Sequence, residues 1–373
     1  MPIRVLQVLG GLEAGGAESF VMNLYRKIDK RNVQFDFVKH ITHKGVFEDE
    51  IHQMGGKIYQ CPQYTGKNHF AYCKWWDDFF EEHPEYHMIH GHVRSTAAIY
   101  LKIAKKHDLV TIAHSHSTSN GSGVSAMVKD LMQLPIRNTA DYLFACSDRA
   151  GEWLFGKKAT KMPNYQMIPN GIDLSRFAFD EKKRFQMRKE LFIDETALVL
   201  GHVGRMTEPK NHKFLLQLFA KYHSENPNSK LLLVGDGELY EEVKQQCKQL
   251  KIADDTIMVG SKTNTEDYYQ AMDAFLFPSL WEGLGIVAIE AQANGLPCLV
   301  SKNIPREALV EESVKVLDLR STDEWLLELS KVSAGNRRLV DEKLRSYDVS
   351  IVAIRLQKFY LEHEKVKLSL IHI

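Results

Sequence analysis

Ser279-Leu280-Trp281-Glu282-Gly283-Leu284-Gly285-Ile286-Val287-Ala288-Ile289-Glu290-Ala291-Gln292 is the stretch that decides the fold. An apolar run, Ala274–Phe277, closed by Pro278, leads into it, and helix-compatible sequence follows as far as Asn294-Gly295 and Pro297, a C-terminal stop. The order is strand, glycine loop, helix. A glycine loop feeding a helix N-terminus offers free backbone N–H groups and the positive end of the helix dipole, which suits a phosphate. Glu282 falls in the loop, and Glu290 is expected about two turns into the helix, on a similar face. Two carboxylates are ill suited to a bare phosphate. They suit hydroxyls on either side of one, as in a nucleotide sugar.

Short apolar strands alternate with amphipathic helical stretches along the whole chain of 373 residues, which implies parallel sheets covered by helices on both faces. The clearest strands are 5–9, 34–38, 57–60, 88–90, 110–114 and 142–146, then 198–203, 230–234, 256–259, 274–277 and 298–301. This length favours two domains. The turn-rich Ile168-Pro-Asn-Gly-Ile-Asp173 divides them into residues 1–173 and 174–348, with a last helical segment from about 349. Equal numbers of basic and acidic residues, 48 each, leave no basic field for nucleic acid. Five scattered cysteines without a C-x-x-C fit a reduced, cytoplasmic protein. No apolar run approaches the ~20 residues of a membrane-spanning helix, and the start lacks a signal-peptide pattern.

The first strand–helix turn is Leu9-Gly10-Gly11-Leu-Glu-Ala-Gly15-Gly16-Ala17-Glu18. A dinucleotide site there requires an acidic residue closing the next strand, and Phe35-Asp-Phe-Val38 closes in Lys39-His40 instead. Glu18 reads as an early-helix residue that favours the dipole. Eleven of the sixteen histidines precede residue 120, and two pairs, His90-Gly-His92 and His114-Ser-His116, follow strands, where an open parallel sheet lines its ligand crevice. A zinc site built from these four lacks a supporting cysteine or H-E-x-x-H pattern and is set aside. Arg205 and Lys210, in Val203-Gly204-Arg205-Met-Thr-Glu208-Pro-Lys210-Asn211-His212, lie where a strand opens into a helix and suit two phosphates. Gly235-Asp236-Gly237 and Gly260-Ser261-Lys262 close the next two strands. The aromatic stretch Phe70, Tyr72, Trp75, Trp76, Phe79, Phe80 reads as a core-facing helix, and residues 117–129 as a mobile loop edge.

The 279–292 segment, with Gly295-Leu-Pro297, resembles the E-x7-E motif of retaining glycosyltransferases of family 4. The resemblance extends to the G-R-x-x-x-x-K block at Gly204–Lys210, the Gly-Gly-Ala-Glu loop at Gly15–Glu18, the Thr111-Ile-Ala-His114 strand end and the Pro169-Asn-Gly-Ile-Asp173 hinge. It implies a GT-B fold: two Rossmann-like, doubly wound α/β domains facing across a cleft, with residues 1–173 on the acceptor side, 174–348 binding the donor, and the last helix (about 349–373) packing back on the first domain. It further implies that Arg205 and Lys210 hold the leaving diphosphate, assisted by Gly204 and the amides of Gly283, Leu284, Gly285, Ile286 and Val287. Glu290 falls to the ribose, Glu282 to the transferred sugar, and Ser261 and Lys262 to the nucleobase. His114, with His116 as the alternative, falls beside the sugar near Gly15 and Gly16.

The reading is a glycosyltransferase that moves a sugar from a nucleotide diphosphate donor, expected to be a UDP-sugar, to a glycan or polyprenyl-linked glycan in capsular or exopolysaccharide synthesis. The chain contains no D-x-D, so neither a metal nor another cofactor is expected. Peripheral membrane association is implied by the resemblance alone. The rivals are weaker. A phosphorylase needs a pyridoxal-phosphate lysine and a longer chain, an epimerase of this fold lacks this E-x7-E context, and a non-catalytic sugar-binding protein has no use for Arg205, Lys210 and both glutamates together.

Overall fold

The computed structural model describes residues 2–13, 15–118, 123–311, 314–335, 337 and 342–371. The chain forms two compact units, one of residues 1–172 with 346–373, the other of residues 173–345.

The first unit carries seven parallel strands: β1 (Ile3–Leu9), β2 (Val33–Lys39), β3 (Ile58–Gln60), β4 (Met88–Gly91), β5 (Val110–Ser115), β6 (Tyr142–Ala145) and β7 (Tyr165–Met167), in the order β3-β2-β1-β4-β5-β6-β7. β1 is an apolar run broken by Arg4 and Gln7, and β2, buried along its whole length, interleaves its apolar residues with Gln34, Asp36 and Lys39. The helix Gly16–Lys27 buries Phe20, Val21, Leu24 and Tyr25 on one side of the core. The last helix, Val349–Ile371, sets Val352, Leu356, Phe359 and Tyr360 into the same core. Burying side chains of this size contributes about 1.5–3 kcal/mol each, enough to tie the chain's end to its beginning. Gly171 has to be glycine for this return, since a Cβ there meets the Val349 backbone at 2.8 Å. Ile172 bridges Asp348 beside it.

The second unit carries β8 (Leu198–Val203), β9 (Ser229–Val234), β10 (Thr256–Met258), β11 (Ala274–Phe277), β12 (Cys298–Ser301) and β13 (Lys315–Leu317), all parallel, in the order β10-β9-β8-β11-β12-β13. Leu216, Phe219, Leu231, Leu276 and Trp325 lie in its core.

In both sheets the strand order reverses direction once, between β1 and β4 and between β8 and β11. The crevice beyond the carboxyl ends at such a reversal is where open α/β sheets bind ligands.

Several sequence expectations are corrected. The edge strands β7 and β13 go unforeseen, each only three residues long. The helix after the glycine loop starts at Ile286, so Glu290 is its fifth residue, little more than one turn in. Residues expected as loop up to 129 are helical from Val124, in Val124–Gln133; positions 119–122 of that expected loop lie outside the described residues. Between β13 and the last helix lie the helix Thr322–Leu329 and a 3-10 segment, Glu342–Tyr347; positions 336 and 338–341 lie outside the described residues. The aromatic helix His69–Glu82 does bury Tyr72, Trp76, Phe79 and Phe80, while Phe70 is 87% exposed.

Candidate active site

In the second unit the loops after β8, β9, β10 and β11 are hydrogen-bonded into one platform. Gly204 N–H donates to Val234 O, Met206 N–H to Asp236 O, Gly235 N–H to Gly260 O and Leu280 N–H to Pro209 O, at 2.7–2.9 Å. Two glycines are required here. Gly235 has φ +143°, and a Cβ on it meets Gly204 O at 2.0 Å, while Gly285 has φ +86° and a Cβ would strike Phe277 at 2.9 Å.

The platform joins Lys210 to Glu282. Lys210 Nζ donates to Glu282 Oε1 at 2.6 Å and stands 5.0 Å from the Phe277 ring centroid. Both side chains keep partial solvent access, at 17% and 11%. Arg205, five residues before Lys210, is exposed, as are Ser261 and Lys262 beyond β10. Gly204, Gly283, Ile286 and Val287 are partly exposed, while Leu284 and Gly285 are buried beneath them.

Glu290 accepts from Tyr269 Oη at 2.8 Å, and the same hydroxyl lies 3.2 Å from Val287 O. Burial pushes the Glu290 carboxyl up to about 7, against the lowering effect of the Tyr269 hydroxyl. Its edge remains partly exposed. Glu282 and Glu290 therefore differ: one is paired to a cation, the other is held by a neutral phenol.

The same unit buries a pair of imidazoles, His202 and His212. His202 Nδ1 donates to Leu276 O at 2.8 Å and packs edge-on against His212, 4.9 Å away. Burial pushes His212 down to about 4.

In the first unit, Gly15 caps the helix Gly16–Lys27, and a Cβ on Gly15 meets the Glu18 carboxylate at 2.2 Å, so Glu18 folds back over the cap. Phe20 of that helix packs against three histidines, with centroids 6.4 Å from His92, 5.2 Å from His114 and 5.3 Å from His116. The His-x-His spacing puts each pair on one face of its strand end, and the β4–β5 pairing stacks the two pairs. His114 and His116 ring centroids are 4.0 Å apart, and those of His90 and His92 are 4.4 Å apart.

Two hydrogen-bonded ladders result. Tyr360 Oη meets His90 Nδ1 at 2.8 Å, and His90 Nε2 meets His114 Nδ1 at 3.1 Å. Gln7 Oε1 meets His92 Nε2 at 2.9 Å, and His92 Nδ1 meets His116 Nε2 at 2.8 Å. Burial pushes all four imidazoles down, His90 and His116 to about 3 and the other two well below the ordinary range. His114 is 1% exposed at the floor of the stack, while His116 lies at its partly exposed end. One ring nitrogen from each of His90, His92 and His114 lies within 4.8 Å of the others, close enough for a shared metal ion. The 3.1 Å contact between His90 and His114 is a hydrogen-bond length.

Two family profiles cover most of the chain: "Glycosyltransferase Family 4" over residues 14–176 and "Glycosyl transferases group 1" over residues 183–317. EpsF of Bacillus subtilis (strain 168), a protein named as a glycosyltransferase, is 33% identical over 344 residues, 90% of this chain and 88% of its own. The chain belongs to the family 4 glycosyltransferases.

This glycosyltransferase is also 32% identical over 173 residues, 45% of its length and 44% of the relative's, to the Escherichia coli enzyme named UDP-Gal:alpha-D-GlcNAc-diphosphoundecaprenol alpha-1,3-galactosyltransferase. Among solved structures, Anabaena Alr3699/HepE in complex with UDP and glucose superposes at a TM-score of 0.78 with 16% identity, over 96% of this chain and 99% of that one. The likeness establishes the GT-B fold.

Sequence reading of the glycosyltransferase missed Tyr269, Gln7 and Tyr360 as members of these constellations. Only Gln7 carries a local signal, a polar residue inside the apolar run Val5–Leu9. Tyr269 lies on a separate helix, Thr265–Ala271, and Tyr360 lies 353 positions from Gln7, so no motif spacing reaches either.

Proposed function

We propose that this glycosyltransferase moves a sugar from a UDP-sugar, with retention at the anomeric carbon and without a metal, onto a glycan or lipid-linked glycan hydroxyl in surface polysaccharide synthesis. The observation that carries the reading is the Lys210–Glu282 pair at the β8/β11 reversal. An ammonium and a carboxylate meet at 2.6 Å on the platform built by the loops after β8 and β11. A diphosphate entering there competes for Lys210 and releases Glu282 to accept from a sugar hydroxyl. Arg205, exposed beside it, adds a planar pair of donors for the second phosphate. Negative charge growing on the leaving diphosphate then meets preset cations and amides, the kind of stabilisation that dominates many enzyme rates. Glu282 starts out paired with an ammonium, which favours its role as hydroxyl acceptor over that of nucleophile. Glu290, beside the Tyr269 phenol, takes the ribose hydroxyls, and the Ser261–Lys262 segment takes the base.

UDP as the nucleotide is supported by the UDP-bound Anabaena structure and by the name of the Escherichia coli relative. That name also supports a lipid-linked acceptor. Peripheral membrane contact is supported by the helix Val124–Gln133, where Val124, Met127, Val128 and Leu131 fall at i, i+3, i+4 and i+7 and are 50–78% exposed. No helix of the described residues is long and apolar enough to cross a membrane.

The test is nucleoside diphosphate release from a panel of UDP-, GDP-, ADP- and TDP-sugars, with and without EDTA. Release of UDP alone, unchanged by EDTA, is expected, and NMR of the transfer product is expected to show the donor's anomeric configuration. Release confined to another nucleotide corrects the donor, EDTA-sensitivity restored by a divalent ion sinks the metal-free reading, and an inverted product sinks retention.

A further inference from the structure

In the first unit Arg4 pairs with Asp36, and Arg26 with Glu50. Arg94 differs. It lies in the loop after β4, at the reversal of strand order, and its Nη1 is buried with no hydrogen-bond partner. Its guanidinium lies over the Trp153 ring, 4.9 Å from the centroid. An indole face attracts the charge, but it supplies no acceptor for the N–H groups at the edge of the fork. Burial pushes the Arg94 pKa down, against the pull of Cys146 and Asp130. A guanidinium in such surroundings gains from an anion.

The backbone that carries it is fixed. A Cβ on Gly91 would meet the Tyr100 hydroxyl at 2.2 Å, and that hydroxyl donates to Val93 O at 2.9 Å. The amide of Ala97, first residue of the helix Ala97–Lys106, donates to Arg94 O at 3.1 Å. The Arg94 side chain as a whole stays partly exposed, so a ligand can reach the fork.

We propose that Arg94 is the anion-binding residue of the acceptor site, and that it takes a phosphate of a lipid-linked acceptor. The inference rests on the reading that the first unit receives such an acceptor for sugar transfer.

A guanidinium fork matches phosphate oxygens two at a time, whereas a neutral sugar leaves its charge uncompensated. Arg94 lies close enough to His116 for its charge to add to burial in holding that imidazole neutral. The guanidinium therefore belongs to the crevice beyond the carboxyl ends of β4 and β5. Asp130, whose charge reaches Arg94, stands on the helix Val124–Gln133, which carries the exposed stripe of Val124, Met127, Val128 and Leu131. Asp130 is itself exposed, and water and salt screen its hold on the guanidinium. An anion in the crevice and a hydrocarbon chain along that helix are the two halves of a prenyl phosphate. The headgroups of a flat bilayer meet exposed cations instead, and Arg94 has its Nη1 buried.

The experiment measures farnesyl diphosphate binding by calorimetry in wild type, Arg94→Gln and Arg94→Lys, with saturating UDP present to occupy the Lys210 platform. Arg94→Gln is expected to weaken binding about 10- to 100-fold, the range for losing charge-assisted hydrogen bonds. Arg94→Lys keeps the charge without the fork and is expected to lose about 10-fold. Farnesol, with the chain and no phosphate, is expected to bind wild type more weakly than the diphosphate, and equally in all three proteins. UDP affinity is expected to be the same in all three, and so is sedimentation with phosphatidylglycerol vesicles. Equal farnesyl diphosphate affinity in wild type and Arg94→Gln overturns the proposal, as does farnesol binding wild type as tightly as the diphosphate. UDP affinity that falls along with it in Arg94→Gln marks a structural role and overturns it too. Loss of vesicle binding with farnesyl diphosphate binding intact assigns Arg94 to a bilayer headgroup instead. If Arg94→Gln does not fold, Arg94→Lys decides. Failure of wild type to bind either prenyl probe defeats the underlying reading of a lipid-linked acceptor, whereas binding that ignores Arg94 defeats only its assignment.

Discussion

The strand β11 has a carboxylate at each end, and the two have opposite surroundings. Before it, Asp273 is fully buried and accepts four hydrogen bonds: from Arg184 at 2.7 Å, Arg188 at 2.6 Å, and the amides of Val199 and Gly335 at 2.8 Å each. Arg188 in turn binds the carbonyls of Ala271, Asp194, Glu195 and Ala197. After the strand, Glu282 meets one ammonium, and both partners keep solvent access. The amino end of the strand is a closed network in which every charge has fixed partners. The carboxyl end is an exchangeable pair that a ligand's own charges can replace. In a parallel sheet, carboxyl ends at a reversal of strand order serve ligands, and at β11 the chain puts its fixed ion network at the opposite end.

Breaking the closed network is expected to have the largest effect. Asp273→Ala strands two guanidinium groups in the core, and removing one partner of a buried pair typically costs about 3–5 kcal/mol. Denaturant unfolding is expected to show that loss, while the folded fraction turns over normally. If stability is unchanged, the distinction between the two ends fails. Lys210→Ala is expected to do the reverse. Removing one preset charge-stabilising group costs about 10²–10³ in kcat, or roughly 2.7–4 kcal/mol at the transition state, and the midpoint of unfolding should barely move because the pair is partly solvated. Glu282→Gln is expected to behave in the same way, and full activity in either variant removes the pair from the mechanism.

How much of this was legible depends on how far apart in sequence the partners lie. The glycine loop, Glu282, Arg205 and Lys210 directly follow apolar strands, so their place beside strand ends could be read from the chain, while the roles of Arg205 and Lys210 came from the resemblance. The central strands were equally plain, because they are rich in apolar, β-branched and aromatic residues, whereas β7 and β13 are edges too short to leave a pattern. The histidine pairs were visible as His-x-His, but not their order of depth. His114 was favoured by its place at the strand end, yet the pairing with His90 buries it and leaves His116 outermost. That depth depends on Tyr360 from the far end of the chain. Tyr269 was invisible for the same reason, and with it the difference in surroundings between Glu282 and Glu290.

That difference yields the smallest effect, and the one that separates the two glutamates within a single site. Burial raises the Glu290 carboxyl to about 7. Above that pH it is a carboxylate, able to accept from both hydroxyls of a ribose. Below it the group gains a proton, loses acceptor capacity and brings a donor that competes with the phenol of Tyr269. The sign is therefore fixed: donor KM is expected to be flat above about pH 7 and to rise as pH falls, approaching tenfold per unit once the acid form dominates. Glu290→Gln mimics the neutral form, so its KM should be high and without that inflection, and subtracting its profile from the wild type's removes any titration of the donor itself. If the wild-type inflection survives in Glu290→Gln, the titrating group lies elsewhere and the ribose assignment loses its support. If it disappears, the two glutamates of the motif divide the donor by their surroundings, the ion-paired one meeting the sugar and the buried one the ribose.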